Sequence, residues 1–213
     1  MACFNLSNQN VVIVAQNINT MVFNQYWFIQ NSIFSPEEIL QDSVFVPGFT
    51  NLSTTDCNIV IMPNQIQFTA KTSDISNCIR KRLVPIMRLS ANSLQIKAIG
   101  FNFIWRIELN EGSVQQYSRS LFFKQGNPIF NEFDTNDACF GTYMSKYFAQ
   151  TRLHLEIKPF KEENDTQNKL FILASFNFHR DIVQEDNKEI IFDFLNNCDT
   201  YYIEANNIIC QLK

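Results

Sequence analysis

Apolar side chains recur at helical spacing through the last stretch of the chain, at Ile191, Phe194, Leu195, Cys198, Tyr202, Ala205, Ile208, Ile209 and Leu212. No Gly or Pro interrupts the run, so the spacing predicts one helix over 188–212, about 36 Å long at the usual rise per residue. Immediately upstream, Leu170, Ile172, Ala174, Phe176 and Phe178 occupy alternate positions. That is the pattern of a strand with one buried face. A helix of this length needs a broad apolar surface beneath it, which implies a helix-on-sheet core.

The rest of the pattern supplies the other elements. Residues 1–9 read as a polar lead-in, and Val11–Ala15 as a buried β-branched strand. Residues 19–32 fit a helix, with strand as the competing reading. Ser35-Pro36-Glu37-Glu38 is a helix start, with Ser35 as N-cap and Pro36 in the first turn. Residues 58–62 and 66–70 flank Pro63-Asn64 as a hairpin. Thr72-Ser73-Asp74 then caps a helix with Ile75, Cys78, Ile79, Leu83, Ile86 and Met87 on one face and Arg80, Lys81, Arg82 and Arg88 on the other. Pro85 is expected to kink it or end it early.

A boundary is placed at Ser90–Ser93. The following strand, 94–109, has apolar residues on even positions up to Ala98 and on odd positions from Ile99 onward, so its parity flips near Gly100. Residues 113–124 read as a helix, 127–138 as a loop, and 142–160 as a strand. In that strand Leu153, Leu155 and Ile157 face inward, and Arg152, His154, Glu156 and Lys158 face outward. A charged turn over 161–168 leads to the closing strand and helix.

Together these elements predict an α+β fold, a mostly antiparallel sheet with long helices packed on one face. The two halves, 1–93 and 94–213, each read β-α-β-β-α and are expected to share one sheet as a single compact unit. An internal duplication explains the repetition, as does a single α+β domain in which it arose by chance. The element order of each half resembles the TATA-binding-protein fold. Three segments, Ala98–Ile107, Phe176–Asp181 and Ile190–Leu195, are similar to a sporadically distributed family of uncharacterised bacterial proteins. That resemblance implies an accessory role, such as defence or cargo of a mobile element, and brings no catalytic residues with it.

Composition narrows the function classes. A net charge of −4 gives no general attraction to nucleic acid or anionic lipid. Twenty-one phenylalanines point to core and partner surfaces rather than catalysis. The six cysteines show no paired spacing and are read as free thiols of a cytoplasmic protein. No run is long enough to span a membrane. The chain has two histidines, His154 and His179, neither in a ligand cluster, and a Cys139–His pairing has no supporting motif. Five glycines and no phosphate-binding motif argue against a nucleotide site. No metal or cofactor is implied.

The strongest expectation of a binding surface falls on the sheet face opposite the helices. It comprises Phe171, Leu173, Ser175, Asn177 and His179 on the last strand, with Asn102, Ile104 and Arg106 on the long strand. Its mixture of apolar and hydrogen-bonding side chains suits a protein partner or a second copy of the chain. Two alternatives are a saddle-like nucleic-acid module using Arg106, Lys97, Lys146 and Phe171, and a small-ligand protein or an enzyme of unrecognised class.

Overall fold

The structure is a computed structural model and describes residues 2–161, 170–183 and 188–212. In chain order its first half contains β1 (Ala2–Gln16), α1 (Gln25–Gln30), β2 (Val44–Val46), β3 (Phe49–Ser53), β4 (Cys57–Met62), β5 (Gln65–Ala70), α2 (Ile75–Cys78) and α3 (Val84–Ser90). Its second half contains β6 (Gln95–Leu109), α4 (Val114–Phe122), α5 (Pro128–Glu132), β7 (Thr142–Phe148), β8 (Thr151–Lys161), β9 (Leu170–Asp181), α6 (Glu189–Asn196) and α7 (Cys198–Ile209). The fold is α+β, and the strands form one antiparallel sheet in the order β2-β3-β4-β5-β1-β6-β9-β8-β7. Outward from the β1/β6 junction, each half runs first strand, last strand, then back toward its second. The strand order therefore repeats.

By compactness the chain divides into a larger unit, Gln9–Asn102 with Phe178–Ile203, and a smaller unit, Met1–Asn8 with Phe103–Asn177 and Glu204–Lys213. In the larger unit, alternation sets the layers. Cys57, Ile59 and Ile61 of β4 and Ile66, Phe68 and Ala70 of β5 are buried, and the residues between them are half-buried. The β4–β5 hairpin forms as expected, with Met62 opposite Gln65 across Pro63-Asn64. The ring of Phe101 stacks on Phe194 at 4.9 Å, and Tyr201 packs against Phe101, Phe178 and Phe194. A second aromatic group, Phe23, Trp27, Phe34 and Phe45, surrounds Phe28.

Several expectations are corrected here. β1 begins at Ala2, so the polar lead-in is strand; its alternation of half-buried and exposed positions is too weakly apolar to show in the sequence. Val44–Val46 and Phe49–Ser53 form a further hairpin around Pro47-Gly48, where Gly48 adopts φ +82° and supplies the turn. The start at Ser35 has its capping box, Ser35 with Glu38, but makes only one 3₁₀ turn. The closing helix is two helices. Asn197 leaves the helical conformation, its backbone N–H and its side chain both bonding back to the carbonyl of Asp193. Beyond it, Tyr201 rather than Tyr202 is buried.

The helix capped by Asp74 also departs from its reading. Between α2 and α3 the chain makes a π-helical stretch, Ile79–Leu83, and continues through Pro85. A π turn delays the helix phase by one residue. Arg82, expected among the solvent-facing cations, is consequently turned inward and is 4 % exposed.

In the smaller unit the segment expected as one strand over 142–160 is a hairpin. Phe148 pairs with Thr151, and the two loop residues, Ala149 (φ 45°) and Gln150 (φ 63°), take the left-handed pair of a type I′ turn. No Gly, Asn or Asp marks this turn in the sequence, which is why it was missed. Trp105 meets Phe176 edge-on at 5.2 Å. Phe123, Phe130 and Phe140 form a second cluster, fixed by a hydrogen bond from the Phe140 N–H to Ser118 Oγ at 3.1 Å. α5 lies within the stretch expected as a loop. A Cβ at Gly141 would lie 2.5 Å from the Ile157 carbonyl oxygen, so only glycine allows the chain to enter β7 this close to β8. The expected turn at 161–168 falls almost wholly outside the described residues.

Candidate functional site

The larger unit turns one face of its strands away from its helices, and the strand register assembles that face row by row. One row runs Asn58 on β4, Thr69 on β5 and Asn10 on β1, with the Asn102 side-chain N–H donating to Asn10 Oδ1 at 2.8 Å. The next runs Val44, Asn51, Val60, Gln67 and Val12. A third brings Met62, Gln65 and Val14 together, with Val46 opposite Phe49 at the β2–β3 end. Val14, Val44, Val46 and Phe49 are between 37 and 47 % exposed. None of the side chains in these rows is charged. The solvated face of an antiparallel sheet is ordinarily polar.

The smaller unit presents a different face. The β7–β8 register pairs Tyr143 with Glu156, Ser145 with His154, and Tyr147 with Arg152. The Tyr143 hydroxyl meets His154 Nδ1, Arg152 donates to Ser145 Oγ at 2.5 Å, and its guanidinium lies 4.8 Å from the Tyr147 ring centre. Lys158 pairs with Glu156 at 2.8 Å. Tyr143 and Tyr147 are 65 and 80 % exposed. The opposite side of β7 carries Lys146, whose Nζ bonds Glu204 at 2.5 Å. Lys146 therefore does not share a face with Arg106 and Phe171, as the nucleic-acid alternative requires.

The eight residues singled out from the sequence fall in both units. Asn102 and His179 belong to the larger unit, the other six to the smaller. In the larger unit Asn102 joins the amide row, and His179 Nε2 lies 3.0 Å from Asp181 Oδ1. In the smaller unit Arg106 and Phe171 meet directly, the guanidinium 3.9 Å from the ring centre. Phe171 is 2 % exposed, covered by Arg106 and by Phe160 at 5.2 Å. Ile104, Leu173, Ser175 and Asn177 are half-buried on their strands. Sequence reasoning missed the valines and Phe49 of β2 and β3. The hairpin signal at Pro47-Gly48, flanked by alternating Val and Phe, was the available clue.

One ionisable side chain, Arg82, is buried in the larger unit between two half-buried carboxylates. Arg82 Nε donates to Asp56 at 3.1 Å, its terminal nitrogens reach Glu38 and the Ile33 carbonyl, and its guanidinium lies 4.5 Å from the Phe34 ring centre. The Arg82 hydrogen bond holds the Glu38 carboxyl below its usual range. Burial works to raise Asp56, but its hydrogen bonds from Thr54 and Arg82 outweigh that and leave it low. Nearby, the Cys57 and Cys78 thiols share a hydrogen bond, which together with burial pushes Cys57 up and, against burial, draws Cys78 down. Asp56 also accepts from the Thr54 hydroxyl, and Lys71 Nζ bonds the Thr54 carbonyl at 2.8 Å. The Arg82 guanidinium is buried, while Glu38 and Asp56 stay partly open to solvent and Lys71 is exposed.

Clefts are found in both units. One, of about 410 Å³ in the smaller unit, is lined by Ala2, Leu109, Ser113, Gln116, Tyr117 and Leu212. The other, of about 160 Å³ in the larger unit, is lined by Leu94, Ile96, Lys97, Ile182, Val183 and Ile191. Among the described residues no three His, Cys, Asp or Glu side chains are grouped to hold a metal ion, and no helix is long and apolar enough to cross a membrane. No family model matches the chain, and no curated protein matches it.

Proposed function

We propose that the protein is a binding module and that the strand face of its larger unit docks a partner protein. The observation that carries this reading is the chemistry of the rows through β2, β3, β4, β5 and β1. They combine partly exposed Val12, Val14, Val44, Val46, Phe49, Val60 and Met62 with Asn and Gln amides and no charged side chain. Centres of protein interfaces are depleted of charge, apolar, and supplied with hydrogen-bonding groups at intervals. A surface kept only for solubility is instead dressed in Lys and Glu. The amides give such a face directional contacts that a purely apolar patch lacks.

The test is site-specific photo-crosslinking in the native host. A crosslinking residue at Val60, at the middle of the face, is expected to yield a discrete adduct. The same residue at Lys81, exposed on the helical side, is expected to yield only background. Equal yields at the two positions would overturn the reading.

A further inference from the structure

The smaller unit carries a second, independent surface. β7 ends the sheet, and among the described residues no strand pairs with its outer edge. Natural edge strands are usually protected by a central charge, a proline, a bulge or very short length. β7 is seven residues long, TYMSKYF, pairs with β8 at every position without a bulge, and has one charge, Lys146, already bonded to Glu204.

The turn fixes which backbone groups the edge offers. A two-residue type I′ loop makes its flanking residues, Phe148 and Thr151, a hydrogen-bonded pair, and pairs then alternate along an antiparallel ladder. Lys146–Leu153 and Met144–Leu155 are bonded pairs, whereas Tyr147–Arg152, Ser145–His154 and Tyr143–Glu156 are not. The N–H and C=O groups of Tyr143, Ser145 and Tyr147 therefore point away from β8, into the open edge. These three donors and three acceptors, two residues apart, match one ligand class, an extended backbone.

We infer that β7 pairs antiparallel with β7 of a second copy of this chain, about a two-fold axis through Ser145. Only a register that sets outward-pointing residues against one another completes the bonds, and centring on Ser145 gives the longest overlap. Tyr143 of one copy then faces Tyr147 of the other, an aromatic cross-strand pair. Lys146 faces Met144 and Thr142 faces Phe148, so no like charges are opposed. The contact is isologous, and dimerisation closes the edge.

Sedimentation equilibrium tests this from about 5 to about 500 µM, the span over which an interface at the small end of the size scale assembles. The weight-average mass is expected to rise from 24.9 kDa toward twice that value. Ser145→Pro removes one outward N–H and no β7–β8 bond, and is expected to remain monomeric with an unchanged circular-dichroism spectrum. A chain carrying Tyr143→Lys and Tyr147→Lys is expected to be monomeric, and to form a heterodimer when mixed with one carrying Tyr143→Glu and Tyr147→Glu. A wild-type chain that stays monomeric, or a folded Ser145→Pro chain that dimerises as the wild type does, overturns the inference. A dimer abolished by Val60→Lys but not by Ser145→Pro also overturns it, while leaving the larger unit's docking face standing with a second copy as its partner.

Discussion

The larger unit holds one cation inside, Arg82, and leaves the rows through β1–β5 uncharged, whereas β8 of the smaller unit carries charges in the open beside exposed tyrosines. Arg82 is 4 % exposed between Glu38 and Asp56, while Arg152, Lys158 and Glu156 lie half-buried or exposed on β8. Charge acts on stability in the first case and on the surface in the second. A buried cation must be paired in full, since an unpaired partner left inside is costly. An exposed pair is screened by water and contributes little. The larger unit thus uses charge to fix its core, and the smaller unit uses it to keep a tyrosine-bearing strand face in water.

Replacing Arg82 should break this comparison most severely. Arg82→Ala takes the guanidinium from Glu38, Asp56 and the Ile33 carbonyl, and because both carboxylates are about a third exposed and keep bonds from Ser35 and Thr54 it is expected to cost about 1–3 kcal/mol. Chemical denaturation followed by hydrogen exchange would read it, with protection falling first at Ile59, Ile61 and Phe68. Loss of less than about 1 kcal/mol would show that the triad contributes no more than a surface pair.

Acid should produce a graded form of the same effect. Both carboxyls are held low in the folded chain, so their contribution is complete above the ordinary range of about 4 and is lost as pH falls through the lowered folded values. Exchange protection in the larger unit should therefore decline as pH falls below about 4, ahead of the smaller unit. Asp137, held low by its Thr135 hydrogen bond, sits on an exposed loop and adds no core contact. Simultaneous loss in both units would remove the distinction. Arg152→Ala should have the smallest effect, within about 0.5 kcal/mol in thermal denaturation, because its partners Ser145 and Tyr147 are already hydrated.

The parts of the fold legible in the sequence were those written by strong periodicity or turn chemistry. β6, the β4–β5 hairpin, the helix α4 and the inward set Leu153, Leu155 and Ile157 follow from periodicity or turn chemistry alone. What escaped detection lacked such marks. Ala149-Gln150 adopts a left-handed pair without glycine, Asn197 divides an uninterrupted apolar stripe, and β1 begins among residues as polar as a tail. Of the residues expected at a surface, Phe171 is instead buried and Ile104, Leu173, Ser175 and Asn177 are half-buried, and their partners were not foreseen. The cover over Phe171 depends on Arg106 reaching across from a strand sixty-five positions earlier in the chain, and no local pattern encodes that.

The π-helical stretch Ile79–Leu83 has a consequence for heredity. Such a turn holds one residue more than the same length of α-helix and is what a single-codon insertion leaves behind when the flanking turns keep their places. Deleting one codon ahead of Arg82 would restore ordinary winding with α2 and α3 keeping their places, and the side chains inside the stretch, Arg82 among them, would be re-aimed. The guanidinium would then leave Glu38 and Asp56. This segment should therefore accept many substitutions at exposed Lys81 yet resist any change in length, and a deletion scan would register it as intolerant where a substitution scan would not.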